Sequence, residues 1–281
     1  MADNDEMVAE TLPVNGVELC IETFGEPTDP ALLLIAGGAA SMDWWEDEFC
    51  RRLAAGGRYV IRYDHRDTGR STSFPAGAPP YSGVELAQDA LGVLDVLGVH
   101  QAHLVGLCLG GVLAQRIAVE RPHRLLSLIL MSTSADPLNA TDRTGDRIDW
   151  SNRRASVNRM IRAVRDLGGL FTADEPHLRR LAERVYDRTQ DMAASQTNHW
   201  CCPGGPSFRE QLATIAAPTL ILHGTLDPVF RPAHAEALAA EIPEARLVWL
   251  EGVGHEFPPM AVWSQVIDEI LGHAARGRQP A

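Results

Sequence analysis

The sequence predicts an α/β fold: a mostly parallel central sheet flanked by helices and interrupted by a helical insertion. Three observations carry this. Short, almost continuously apolar runs alternate with stretches of helical spacing, the pattern of strands buried on both faces. The alternation stops over 137–210, where the chain turns polar and Arg-rich, and then resumes to the C-terminus. At 281 residues, 45% hydrophobic and 22% charged, the chain has ordinary globular proportions and suffices for one substantial domain with an inserted part.

In chain order, "ALLLIAGG" (31–38) and "YVIRYD" (59–64) read as buried strands, each too short for a long helix. A helix is predicted over 83–99, a strand over 102–107 and a helix over 111–122 that Pro122 stops. "LLSLILMS" (125–132) is the next strand. Two helical stretches follow, "NRRASVNRMIRAVRDLG" and "HLRRLAERVYDRTQDMAAS", broken by "CCPGGP". Strands at 217–224 and 245–252 then bracket the helix "RPAHAEALAAEI". The expected organisation is a core of 1–136 and 211–281 with a helical cap or lid of 137–210. The last residues, "ARGRQPA", read as a frayed tail.

Composition excludes several functions. A net charge of -12 without a dense Arg stripe is wrong for a nucleic-acid groove. All 25 basic residues are Arg, so Schiff-base chemistry and a phosphate-binding P-loop lysine are ruled out. The acidic N-terminus is no signal peptide and no run of 18 apolar residues occurs, which gives the expectation of a cytoplasmic protein with no membrane partner. Five cysteines, an odd number without framework spacing, read as reduced thiols. Without CxxC pairs, HExxH or a dinucleotide-binding glycine fingerprint, neither a metal nor a cofactor is expected. The expected partner is a small-molecule substrate, with the chain a monomer or homodimer.

The chemistry centres on Gly106-Leu107-Cys108-Leu109-Gly110, set between a predicted strand and a predicted helix. A strand that turns sharply into a helix strains the central residue and needs flanking glycines so that the chains can pass. The helix N-terminus then faces Cys108, where its dipole favours the thiolate, and the Leu109 N–H is placed to meet a developing oxyanion. A buried core cysteine beside glycines is the plainer alternative. Asp227 follows strand 217–224 and His255 follows strand 245–252, so both lie at carboxyl ends of strands, where open α/β sheets place their sites. Nucleophile, acid and histidine thus occur in the order that suits His255 as base and Asp227 as its orienting carboxylate. Asp136, after strand 125–132, is the competing acid. Gly38, in the loop after the first apolar strand, is assigned the second oxyanion N–H. Trp44 and Trp45 are candidates to line an apolar pocket. His199 and Trp200, near the end of the insertion with Cys201 and Cys202, either touch substrate or pack the insertion onto the core. Arg153, Arg154, Arg159 and Arg162 read as a solvated helix face, with one available to a substrate carboxylate. Arg66 and Asp67 read as an ion-paired supporting turn.

From about residue 12 to 275 the chain resembles a capped α/β-hydrolase. Besides the elbow, "YDHRDTGRS" resembles that family's D-x-R-G-x-G-x-S turn, "APTLILHGTLDP" its acid segment and "VGHEFP" its histidine segment. The turn, with Asp67 in place of the usual Gly, and the stretch before it are most similar to anthracycline methyl esterases of polyketide biosynthesis. Two departures stand out. Ala36-Gly37 replaces the usual His-Gly, and the nucleophile is Cys rather than Ser, as in the elbow of dienelactone hydrolases. The resemblance implies a cofactor-free hydrolase of an ester, lactone or thioester, working through Cys108, His255 and Asp227 by an acyl-enzyme. An acyltransferase with the same triad, a noncovalent cyclisation or rearrangement catalyst, and a ligand-binding pseudoenzyme are the alternatives.

Overall fold

The computed structural model describes residues 9–135 and 148–276. An eight-stranded sheet runs through it, made of β1 (Glu10–Val14), β2 (Val17–Phe24), β3 (Ala31–Ile35), β4 (Tyr59–Tyr63), β5 (Ala102–Leu107), β6 (Leu125–Met131), β7 (Thr219–Gly224) and β8 (Arg246–Leu250). Their order is β1-β2-β4-β3-β5-β6-β7-β8. β2 pairs antiparallel with β1 and β4, and every other pair is parallel. The six parallel strands are the ones predicted from their apolar runs. The β1–β2 hairpin is additional. It turns at Asn15-Gly16, both at positive φ (48° and 80°), the Asn-Gly combination that suits a two-residue hairpin.

Side chains of β3 show how the sheet is covered. Leu33 and Ile35 enter one core with Leu86 and Val93 of α2 (Gly83–Val96), Leu113 and Ile117 of α3 (Leu109–Glu120) and Leu238 of α7 (Pro232–Glu241). Leu32 and Leu34 enter the other, with Phe49 and Leu53 of α1 (Asp47–Ala55) and Val266 and Ile270 of α8 (Trp263–Arg276). The two-residue period of a strand divides one apolar run between both faces, so a continuous run is required.

Between β6 and β7 the described part of the insertion holds three helices, α4 (Arg153–Leu167), α5 (Glu175–Arg188) and α6 (Met192–Cys201). The sequence reading treated the last two as one stretch. The break comes at Thr189-Gln190, after which the Asp191 side chain accepts the Ala194 N–H at 3.0 Å and caps α6. These helices have a small core of their own, with Val157, Met160 and Ile161 against Leu178, Ala182, Val185 and Met192. Charge fastens them to the sheet. Arg188 donates to Asp64 at 2.7 Å and also pairs with Asp43, and Arg184 reaches Asp43 at 2.8 Å and Asp47 at 2.9 Å. Asp43 and Asp64 are fully buried, so each carboxylate needs these partners to offset its lost hydration. Among the described residues no helix is long and apolar enough to cross a membrane.

The junction of β5 with α3 is the tightest place in the sheet. A Cβ on Gly106 would lie 2.3 Å from the Gly110 carbonyl oxygen, and one on Gly110 would lie 2.2 Å from that of Ile35. The first turn of α3 therefore rests directly on backbone at the ends of β3 and β5. Gly110→Ala is expected to lower stability by about 3 kcal/mol, because backbone cannot yield as a side chain does. Gly272→Ala, in α8 with nothing within 4 Å of the added Cβ, is expected to raise it by about 0.5–1 kcal/mol. Denaturant midpoints of the two variants check the contrast.

Candidate active site

Cys108 sits between β5 and α3 with φ 53° and ψ −115°, a backbone conformation that a non-glycine residue adopts only under constraint. The constraint is visible. Its N–H donates to Met131 O at 3.0 Å, and its carbonyl accepts the Thr133 hydroxyl at 2.7 Å and the Gly111 N–H at 3.0 Å. The side chain is only 6% exposed, and what surface it keeps faces a cavity. Cys20, Cys50, Cys201 and Cys202 are free thiols too.

Asp227 lies in the turn after β7. One of its carboxylate oxygens accepts the N–H groups of Val229 and Phe230, both at 2.8 Å, and the other meets His255 Nδ1 at 2.8 Å. Burial opposes its charge, but the His255 contact and the Phe230 N–H outweigh burial and hold the carboxyl below its ordinary range. His223, which the sequence reading passed over, supports the same turn. It donates from Nε2 to Phe230 O at 2.7 Å and lies 3.8 Å from the Asp227 carboxylate.

His255 lines the same cavity as Cys108 and shares a hydrogen bond with Asp227. Burial works against its protonation, yet a negative charge on Cys108 and the Asp227 contact prevail and raise its pKa to about 10. Its backbone is fixed by the insertion. The His255 N–H donates to Leu167 O at 2.6 Å, and Leu170 N–H donates to Gly252 O at 2.7 Å. Glu256 adds a side-chain latch, accepting the Gly169 N–H at 2.8 Å and the Thr172 hydroxyl at 3.1 Å. Only its position beside His255 marked Glu256 in the sequence.

Leu109 is the first residue of α3, so its N–H has no partner within the helix. Gly38 lines the same cavity as Cys108, beneath Trp200, whose ring would lie 2.9 Å from a Cβ at that position. Gly37 lies between them, with space for a Cβ only 3.4 Å from Cys108 Cβ. Both proposed donors therefore come from the segments that meet at the elbow.

The cavity has a volume of about 820 Å³ and is lined mainly by apolar side chains of α4, α5, α6 and the segment 255–260. That is the upper part of the range for small-molecule sites. Trp44 and Trp200 line it, and Trp44 stacks on Phe257 with centroids 6.2 Å apart. Trp45 and His199 do not line it. Trp45 is 1% exposed and packs on Phe49 and Phe257 inside the core. His199 uses both ring nitrogens on backbone, Nδ1 accepting the Ala39 N–H and Nε2 donating to Arg66 O, each at 2.9 Å. Burial and the neighbouring His65 push its pKa down to about 3, so it is a neutral clamp between α6 and two core loops.

The supporting turn also differs from expectation. Arg66 pairs with Asp89 at 2.6 Å, not with Asp67. Asp67, at φ 66°, instead accepts the Phe74 N–H at 2.6 Å, the Asn198 amide at 3.0 Å and the Tyr81 hydroxyl. An aspartate here serves as a hub between the turn and α6, which glycine cannot provide. Asp136 lies outside the described residues. Among those residues no group of three or more His, Cys, Asp or Glu is arranged to hold a metal.

Residues 30–258 match the family model of the alpha/beta hydrolase fold. The chain is 36% identical to rhodomycin D methylesterase DauP of Streptomyces sp. (strain C5), over 92% of this chain and 95% of that protein. Identity to rhodomycin D methylesterase DnrP of Streptomyces peucetius is also 36%, with the same coverage. A 3-oxoadipate enol-lactonase of Acinetobacter baylyi is 28% identical over 86% of this chain and 88% of its own length. A hydrolase structure from Pseudomonas aeruginosa superimposes with a TM-score of 0.75 at 26% identity, covering 100% of both chains. The eight-stranded sheet, the strained elbow residue between strand and helix, and these matches agree: the chain belongs to the α/β hydrolase family, as an ester hydrolase.

Proposed function

We propose that this hydrolase cleaves the carboxylic ester of a bulky, polyketide-type aromatic small molecule through a Cys108-His255-Asp227 triad and a thioester acyl-enzyme. One observation carries the reading: a cysteine held at φ 53° on the N-terminus of α3 faces a histidine bound at 2.8 Å to a buried aspartate. The substrate class is supported by the names of the two Streptomyces relatives and by a cavity of about 820 Å³, large enough for a fused-ring scaffold.

The steps follow from the donors and acceptors present. Cys108 Sγ, its proton taken by His255, attacks the ester carbonyl carbon and forms a C–S bond. The carbonyl oxygen becomes an oxyanion and is met by the Leu109 and Gly38 N–H groups. The C–O bond to the alkoxy group then breaks, and His255 gives its proton to the departing alkoxide. Water next attacks the thioester, losing its proton to His255. The C–S bond breaks, the acid leaves, and Cys108 is restored with the proton returned. Asp227 keeps the imidazole in one orientation and stabilises its charged form in both halves. The insertion over 137–210 acts as a lid that selects the acyl group and, through Leu167 and the contacts of Gly169 and Thr172 with Glu256, holds the base in place.

Cys108→Ala and His255→Ala are expected to abolish turnover, and Asp227→Asn to lower kcat about 10⁴-fold with the fold intact. Intact-protein mass after rapid quenching with an activated aryl ester is expected to show an acyl increment on the wild type and none on Cys108→Ala. Full turnover by Cys108→Ala would overturn the covalent route, and release of an amide or second ester in the presence of added amine or alcohol would convert the reading to acyl transfer.

Protonation of His255 is expected to depend on Cys108. Because the native pKa is raised to about 10 from an ordinary value near 6.5, the proton's contribution to stability is complete below the ordinary value. It is lost as pH rises through the native one. Asp227 contributes in the opposite sense: its lowered pKa gives stability above its ordinary carboxylate range that disappears as pH falls through the native value. Removing the sulfur in Cys108→Ala takes away the foremost influence raising the His255 pKa. NMR titration of the imidazole is therefore expected to give a lower midpoint in that variant than in the wild type.

A further inference from the structure

Besides the thiols of Cys108 and Cys201, five acidic or basic side chains line the cavity: Glu46, Arg159, His177, His255 and Glu256. Four of them are already engaged. Glu46 and His177 pair at 3.0 Å, His255 holds Asp227, and Glu256 accepts the Gly169 N–H. Arg159, half-buried on α4, has no hydrogen-bond or ion-pair partner among the described residues. Its neighbours on the helix differ. Arg153 pairs with Asp187 and Arg165 with Glu175, while Arg154 and Arg162 are exposed. A guanidinium that faces an apolar cavity without a carboxylate partner keeps its full capacity for two parallel hydrogen bonds to an acidic oxygen group.

Position along α4 fixes its distance from the chemistry. Arg159, Met160, Ala163, Val164 and Leu167 form one helical stripe on the cavity wall. At the far end of that stripe the Leu167 carbonyl accepts the His255 N–H at 2.6 Å. Eight residues at a rise of 1.5 Å separate the Arg159 backbone from the Leu167–His255 contact by about 12 Å. We propose that Arg159 binds an acidic oxygen group of the substrate, a carboxylate or an ionised phenol, carried on the scaffold at the end remote from the ester carbonyl. The inference rests on the hydrolytic reading above and narrows its substrate class to aromatic esters with a distal acid. So far from the reacting atoms, the contact is equally strong in ground state and transition state, so it acts on KM and not on kcat.

The test uses two methyl esters of one tricyclic aromatic acid, identical except that the far ring carries a carboxylate in the first and a carboxamide in the second. Wild type is expected to favour the carboxylate by about tenfold to a hundredfold in kcat/KM, through KM. Arg159→Gln is expected to erase the preference while leaving kcat on the carboxamide within about twofold, and Arg162→Gln, exposed on the same helix, to preserve it. Equal kcat/KM for both esters in the wild type, or a preference that survives Arg159→Gln, overturns the proposal. If neither ester releases methanol, the hydrolytic reading fails. Calorimetric binding of the same pair to Cys108→Ala, with and without Arg159→Gln, then still decides the role of Arg159: equal affinity for the two esters rejects it, and a carboxylate preference lost on substitution upholds it.

Discussion

Backbone contact between the start of α3 and the ends of β3 and β5 is the constraint on which the site depends. At Gly106 and Gly110 there is no room for a single carbon, since an added Cβ would meet a carbonyl oxygen at 2.3 Å or 2.2 Å. That closeness forces the chain to reverse within one residue, and Cys108 takes a φ of 53° as the result. The strain is held by the Cys108 N–H donating to the Met131 carbonyl on the adjoining strand and by the Thr133 hydroxyl donating to the Cys108 carbonyl. The placing of Cys108 at the N-terminus of α3, where the first N–H groups of the helix have no partner within it, follows from the packing of a strand end.

The remaining chemistry is organised by buried charge. Asp227 is ionised inside the protein because two backbone N–H groups and His255 replace its water. Asp43, Asp64, Asp67 and Asp89 are likewise buried, and each meets an arginine or a set of polar donors. Several of those donors belong to the helical insertion: Arg184 and Arg188 from α5, Asn198 from α6. The insertion is thus joined to the sheet where detaching it would leave carboxylates buried and unpaired, which fixes its placement more firmly than its small apolar core does.

The same insertion shapes both ends of the site. Trp200 of α6 covers Gly38, where an oxyanion donor is proposed, and Leu167, the last residue of α4, holds the backbone of His255. The wall of the cavity and the backbone position of His255 therefore depend on one structural element.

Much of this was legible in the chain alone. The six parallel strands, α2, α3 and α7, and the order of Cys108, Asp227 and His255 were all readable, because burial on two faces requires apolar runs and a sharp elbow requires glycines. The β1–β2 hairpin was signalled only by Asn15-Gly16, and α1 and α8 were not anticipated. Within the site, sequence spacing did not separate Trp44, on the cavity wall, from Trp45, in the core, since adjacent residues in a short irregular turn have no period to divide them. Nor did it distinguish His199 as a neutral clamp, Glu256 as a latch, or Arg159 as the arginine that turns inward among several on one helix. Those roles depend on segments far away in the chain, such as Ala39 for His199, Gly169 for Glu256 and, for Arg159, the other segments that enclose the cavity. Local pattern determined the strands, the elbow and the identities of the residues proposed to react. Tertiary packing decided which polar side chains are neutralised and which remain available, because that depends on the contacts between segments and not on their order.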